Sequence, residues 1–172
     1  MTIADVRTAP EAIGDTRLEE IALEWLTRTR VLYRAHERSA TVYARRGVML
    51  SVAILTLASV VGTAIFATVN SEPSTTWKVV TGLLALGAAV IAAFQAFLQY
   101  PELAHHHRQA ASKFGGLMRR LDVISASGSV DATALEDVRL RWERISEDAP
   151  AVAGRLYKRA ERDVRQRARG GP

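Results

Sequence analysis

The sequence predicts an all-α protein, a two-helix transmembrane hairpin with long cytosolic helical extensions, and three observations carry that prediction. Between Arg46 and Glu72 lie 25 residues without a formal charge, and between Lys78 and Glu102 lie another 23. The segment NSEPSTTWK that joins them has the Asn, Ser and Pro of a turn. Outside these windows apolar residues recur at helical spacings, and no stretch alternates with the period of a strand. The averages hide this segregation, since 172 residues with 48% hydrophobic and 24% charged would pass for one ordinary globular domain.

In chain order, residues 1–15 carry Pro10 and Gly14 without a sustained period and read as a mobile leader. Residues 16–46 read as an N-terminal cytosolic helix: Asp15 or Thr16 is a suitable N-cap, Glu19 and Glu20 follow in the first turns, and Leu18, Ile21, Ala22, Trp25, Leu32, His36 and Tyr43 recur at spacings of three, four or seven. Residues 47–71 are the first transmembrane helix; at about 1.5 Å per residue they reach roughly 37 Å, against a hydrocarbon core of about 30 Å. Residues 72–78 form an extracytoplasmic loop with Trp77 at the level of an interfacial aromatic, and residues 79–101 form the second span. Residues 102–172 hold C-terminal cytosolic helices. The first is expected to bend at Pro101 and break at Gly115 and Gly116, and Ser125–Ser129 is a linker. Asp131 caps a helix running to about Asp148 with Leu135, Val138, Trp142 and Ile145 on one side, and a last helix follows Ala149 and Pro150.

Basic residues set the orientation. Arg38, Arg45 and Arg46 precede the first span, and Arg108, Lys113, Arg119 and Arg120 follow the second, while the loop offers only Lys78 against Glu72. Both termini are therefore expected in the cytoplasm of a bacterial plasma membrane, and no short apolar run behind a basic start marks a cleavable signal. The absence of cysteine excludes disulfides, thiolate metal sites and thiol nucleophiles. The net charge of +5 resides in the tail, where Arg155 to Arg169 hold seven basic and two acidic residues. That tail can attract anionic headgroups; without interleaved aromatics or a nucleic-acid-binding signature, nucleic acid is not the expected partner.

On a wheel of 100° per residue, Thr81, Ala85, Ala88, Ala92, Gln95 and Gln99 share one face of the second span, and Leu83, Leu86, Val90, Phe94 and Phe97 share the opposite one. In the first span Thr56, Ser59, Thr63, Ala67 and Asn70 align, whereas Ser51 and Gly62 do not. Such small-polar stripes mark close helix packing. They either glue one or several hairpins together, facing each other, or line an oligomeric pore in which Gln95 and Gln99 face water.

His105, His106 and His107 spread over roughly 200° of a helix and cannot converge on one metal ion within a chain. With Arg45, Arg46, Trp77 and Arg108 they read as membrane-interface residues, and one such His per subunit would give an oligomer a pH-sensitive ring. No Gly-rich phosphate loop, HExxH or GxSxG is present, so no catalysis, metal or cofactor is expected.

The layout resembles a family: a helix with Trp25 and Tyr33, basic residues at the entrance of the first span, Gly62-Thr63-Ala64-Ile65-Phe66 late in it, a short Trp-containing loop, then Gln95 through Tyr100 and a returning His107-Arg108 with Lys113-Phe114. From about Trp25 to Ala160 it is similar to the SLATT proteins, two-helix membrane modules of bacterial conflict systems. That resemblance implies the effector arm of a defence system in which a nucleotide signal leads to membrane disruption. Together with the stripes it gives the expectation of a homo-oligomeric effector released by a nucleotide-signalling or sensor partner in the cytosol, with a non-conducting anchor that recruits a cytosolic protein as the alternative.

Overall fold

The computed structural model describes residues 9–67, 74–128 and 130–170, with side chains for all of these except 9–15 and 67. It contains five helices and no strand among the described residues: α1 (Ala9–Ala67), α2 (Thr75–Leu98), α3 (Tyr100–Ala126), α4 (Ala132–Asp148) and α5 (Gly154–Arg169). The chain divides into two compact units, a polar unit of residues 1–40 with 105–172 and a hairpin unit of residues 41–104, so α1 and α3 each contribute to both.

The polar unit has a conventional core. On α3 the buried residues His107, Ala110, Ala111, Phe114, Leu117 and Leu121 fall at spacings of three and four, which is one face of a helix. Ala22 and Leu26 of α1 and Leu135 and Val138 of α4 close over the distal part of that face, with Trp25 and Trp142 at the edge and ring centroids 6.5 Å apart. Further along α1, Val31 and Ala35 receive Ala160 and Val164 of α5. The acidic cap read at Asp131 is present: its carboxylate accepts the backbone N–H of Thr133 at 3.2 Å and the hydroxyl at 2.6 Å.

Element bounds differ from expectation in three places. Pro10 lies in the first turn of α1, where its missing N–H costs nothing, so helix covers residues 9–15 of the expected leader; residues 1–8 lie outside the described residues. Ser74, read as a loop residue, caps α2 by accepting the N–H of Trp77 at 3.3 Å, which puts Trp77 and Lys78 inside the helix. The break after the second span comes at Gln99, in the left-handed region at φ 42°, immediately before Tyr100-Pro101; α3 then passes through Gly115 and Gly116 without interruption. Gly115 is there for proximity: a Cβ at that position would lie 3.4 Å from the Tyr33 ring of α1.

The hairpin unit buries very little. Its two apolar windows have mean hydropathies of 2.3 and 2.1, and none of either window is buried. A soluble core helix of that composition is covered by its neighbours. Here Leu83, Phe94 and Phe97 stand 64%, 61% and 85% exposed, with Leu55 and Phe66 equally open on α1. Such a surface requires a hydrocarbon solvent, so these helices are membrane segments.

Candidate functional site

Within the hairpin unit α2 turns Thr81, Ala88, Ile91 and Gln95 toward α1, and Leu83, Leu86, Val90, Phe94 and Phe97 away from it. The half of the small-polar stripe at Thr81, Ala88 and Gln95 is thus an inner face, while Ala85, Ala92 and Gln99 are exposed. The opposing face of α1 is not the hydroxyl stripe. Gly47, Leu50, Ser51, Ile54, Leu57 and Val61 form it, and the cross-helix hydrogen bond is donated by Gln95 Nε2 to Ser51 Oγ at 2.8 Å. Buried Gly47 faces Tyr100, where a Cβ would make ordinary van der Waals contact at 3.5 Å, one turn from where Tyr43 stacks on Tyr100 at 6.1 Å.

The expectation that the two stripes face each other in one chain is therefore corrected. Thr56, Ser59 and Thr63 are exposed, and each hydroxyl donates to its own helix, to the carbonyls of Val52, Leu55 and Ser59 at 2.8–2.9 Å. A hydroxyl satisfied four residues back needs no partner helix, so polarity alone does not locate the contact face. Asn70 lies outside the described residues. Gln99 serves as the left-handed C-cap of α2. Gln95 Oε1 is buried with no hydrogen-bond partner in the structure.

Of the interface candidates, Trp77 is 46% exposed in the first turn of α2, Arg45 and Arg46 are exposed, and the Arg46 guanidinium carbon sits 6.0 Å from the centre of the Tyr43 ring. His105, His106 and Arg108 are exposed. His107 is not. It lies in the core of the polar unit, 1% exposed, with its Nδ1 3.0 Å from Nδ1 of His36, itself 2% exposed. Helical geometry explains the separation of the three histidines, since neighbours on a helix point about 100° apart and only His107 continues the buried face of α3.

At 3.0 Å the two Nδ1 atoms are within hydrogen-bond distance, which two neutral rings satisfy when one Nδ1 carries its proton and donates and the other accepts. His36 also stacks on Phe114 at 5.5 Å, and Phe114 meets Trp142 edge to face. Burial, and then the neighbouring His107, pushes His36 down to about 4; burial, and then His106, lowers His107. Sequence reasoning placed His36 on the apolar side of its helix but missed the pairing. Its signal was a titratable residue recurring at core spacing on α1, matched by another on α3. Among the described residues no three His, Asp or Glu side chains gather as metal ligands.

The family model for the SMODS and SLOG-associating 2TM effector domain, family 4, matches residues 18–166, which includes both membrane segments and most of the polar unit. No curated protein and no solved structure matches the chain.

Proposed function

Since the chain belongs to SLATT family 4, the SMODS and SLOG-associating 2TM effector domains, we propose that it is a membrane effector. In this reading its hairpins assemble in several copies and perturb or permeabilise the bilayer when a cytosolic signal or partner acts on the polar unit. One observation carries the reading. The hydroxyl stripe of Thr56, Ser59 and Thr63 faces away from the chain's own hairpin, with Ala85 and Ala92 of α2 also outward, so the narrow faces are left for neighbouring copies. Because these hydroxyls are bonded within their helix, they can lie against lipid in a resting state and against another helix, or water, in an assembled one. The signal has a route, because α1 and α3 supply residues to both units. Both ends of the hairpin lie on the cytoplasmic side in this proposal, following the basic residues at Arg45, Arg46 and Arg108.

Membrane depolarisation on overproduction tests it. Wild type depolarises cells and, once activated, releases dye from liposomes; replacing Thr56, Ser59 and Thr63 together by Leu reduces both at equal membrane abundance. Gln95→Leu, which alters the inner face, has its own smaller effect. A wild type that never depolarises cells or leaks dye overturns the effector reading and leaves the anchor that recruits a cytosolic partner, a role to which the independently packed polar unit is suited.

A further inference from the structure

In the polar unit a groove of about 450 Å³ runs between α3 and α4. Lys113 and Arg120 of α3 and Arg141 and Arg144 of α4 wall it, and Leu117 and Ile145 supply apolar floor. Four cations around one groove repel one another, and the carboxylates present do not balance them. Asp137 is shared by Arg120 at 2.6 Å and Arg141 at 3.0 Å, and Asp148 holds Lys113 at 2.9 Å. Arg144 has no ion pair among the described residues.

A second observation is independent of charge. Buried Gly115 and half-buried Gly116 lie inside a helix, where glycine costs about 1 kcal/mol relative to alanine. Gly115 is explained by Tyr33, but a Cβ at Gly116 would find only the guanidinium of Arg119, 4.0 Å away. Packing does not require that glycine. Gly116 does line the groove, where a side chain would project into the open space.

We propose that this groove is a binding site for a phosphate-bearing small anion with an apolar portion. The guanidinium of Arg144, and those of Arg120 and Arg141 that share one carboxylate, offer paired N–H donors in the planar geometry that phosphate oxygens accept. The floor of Leu117 and Ile145 takes the apolar portion. The site goes beyond the effector reading and does not depend on it, because binding is measured without any bilayer leakage.

The test uses the full chain in phosphatidylcholine nanodiscs, titrated calorimetrically with inorganic pyrophosphate and with ADP, which adds a planar apolar body to the same phosphates. A second arm uses nanodiscs containing phosphatidylglycerol, with hydrogen exchange over residues 113–120 and 141–148 as the readout. The expected result is pyrophosphate binding, tighter binding of ADP, and a roughly tenfold loss in both Arg144→Gln and Gly116→Leu. Arg144→Gln breaks no ion pair, and Gly116→Leu introduces a better helix former, so retained helicity and melting show that the loss is local. Arg159→Gln, on exposed α5, leaves binding unchanged. Protection seen only with phosphatidylglycerol, and lost in Arg144→Gln, identifies the phosphate as that of a lipid headgroup and supports the site. Absence of binding in both arms, or an equal loss in Arg159→Gln, overturns it.

Discussion

The polar unit and the hairpin unit are made of the same kind of element and stabilised in opposite ways. In the polar unit Phe114, Leu121 and Val138 are at most 1% exposed, with α1 and α4 closing over α3 and α5 packing on α1. In the hairpin unit α2 has no buried residue at all. Apolar side chains in the first are removed from water by protein; in the second that service falls to lipid, which rewards no particular face. The lesson concerns substitutions: a large apolar residue is worth several kcal/mol in one unit and almost nothing to folding in the other. Phe114→Ala is expected to destabilise the polar unit by about 3–5 kcal/mol, through lost burial and the cavity left against His36 and Trp142. Phe97→Ala, at an 85% exposed position, is expected to stay within about 0.5 kcal/mol. Thermal and denaturant unfolding of the full chain in one detergent compares the two directly; similar losses would mean that the hairpin is packed far more tightly than its exposure indicates.

The histidine pair sharpens the comparison, because it makes one unit alone sensitive to acid. With His36 lowered to about 4 against an unfolded value near 6.5, the folded state refuses a proton that the unfolded chain accepts. Its contribution is complete above about pH 6.5 and is lost as pH falls toward 4, amounting to about 3 kcal/mol, with His107 acting in the same direction. Protonating both rings would set two cations around a 3.0 Å contact in the core. Stability of the polar unit should therefore decline between pH 6.5 and 4 while the hairpin's helical signal in detergent stays level. His36→Gln, which keeps a hydrogen-bonding group and does not titrate, should flatten most of that slope. A pH profile identical to wild type would remove His36 as its source.

The comparison also sorts what could be read from residue order. Two long uncharged windows are a property of composition, and the membrane hairpin follows from them because no arrangement of soluble neighbours is needed to define it. The buried faces of α1 and α4 follow from spacing, as Ala22, Trp25, Leu135, Val138 and Trp142 attest. The SLATT resemblance rested on the same order of features. What could not be read depends on partners distant in the chain. His107 looks like one of three interface histidines until His36, 71 positions away, is brought to it. Gly115 and Gly116 look like a break until the Tyr33 ring is placed against one of them. The face of the first span that meets α2 was not legible for a different reason, since hydroxyls that bond their own backbone do not mark the side turned to the chain's own second span.

Ser51 and Gln95 give the smallest and most discriminating test of that last point. If their hydrogen bond is the main polar tie of the inner face, Ser51→Ala should weaken the hairpin by about 0.5–2 kcal/mol, because it strands a second polar atom of Gln95 beside the Oε1 that already lacks a partner. Gln95→Leu removes the whole amide, fills the same space with carbon, and leaves a Ser hydroxyl free to bond back to its own helix. It should cost less than Ser51→Ala or stabilise the hairpin outright. Steric-trap or denaturant unfolding in bicelles ranks the two. The reverse order would mean that the amide finds a second donor in the membrane, such as an ordered water or a neighbouring copy, and that Gln95, not the outward hydroxyl stripe, is where assembly is decided.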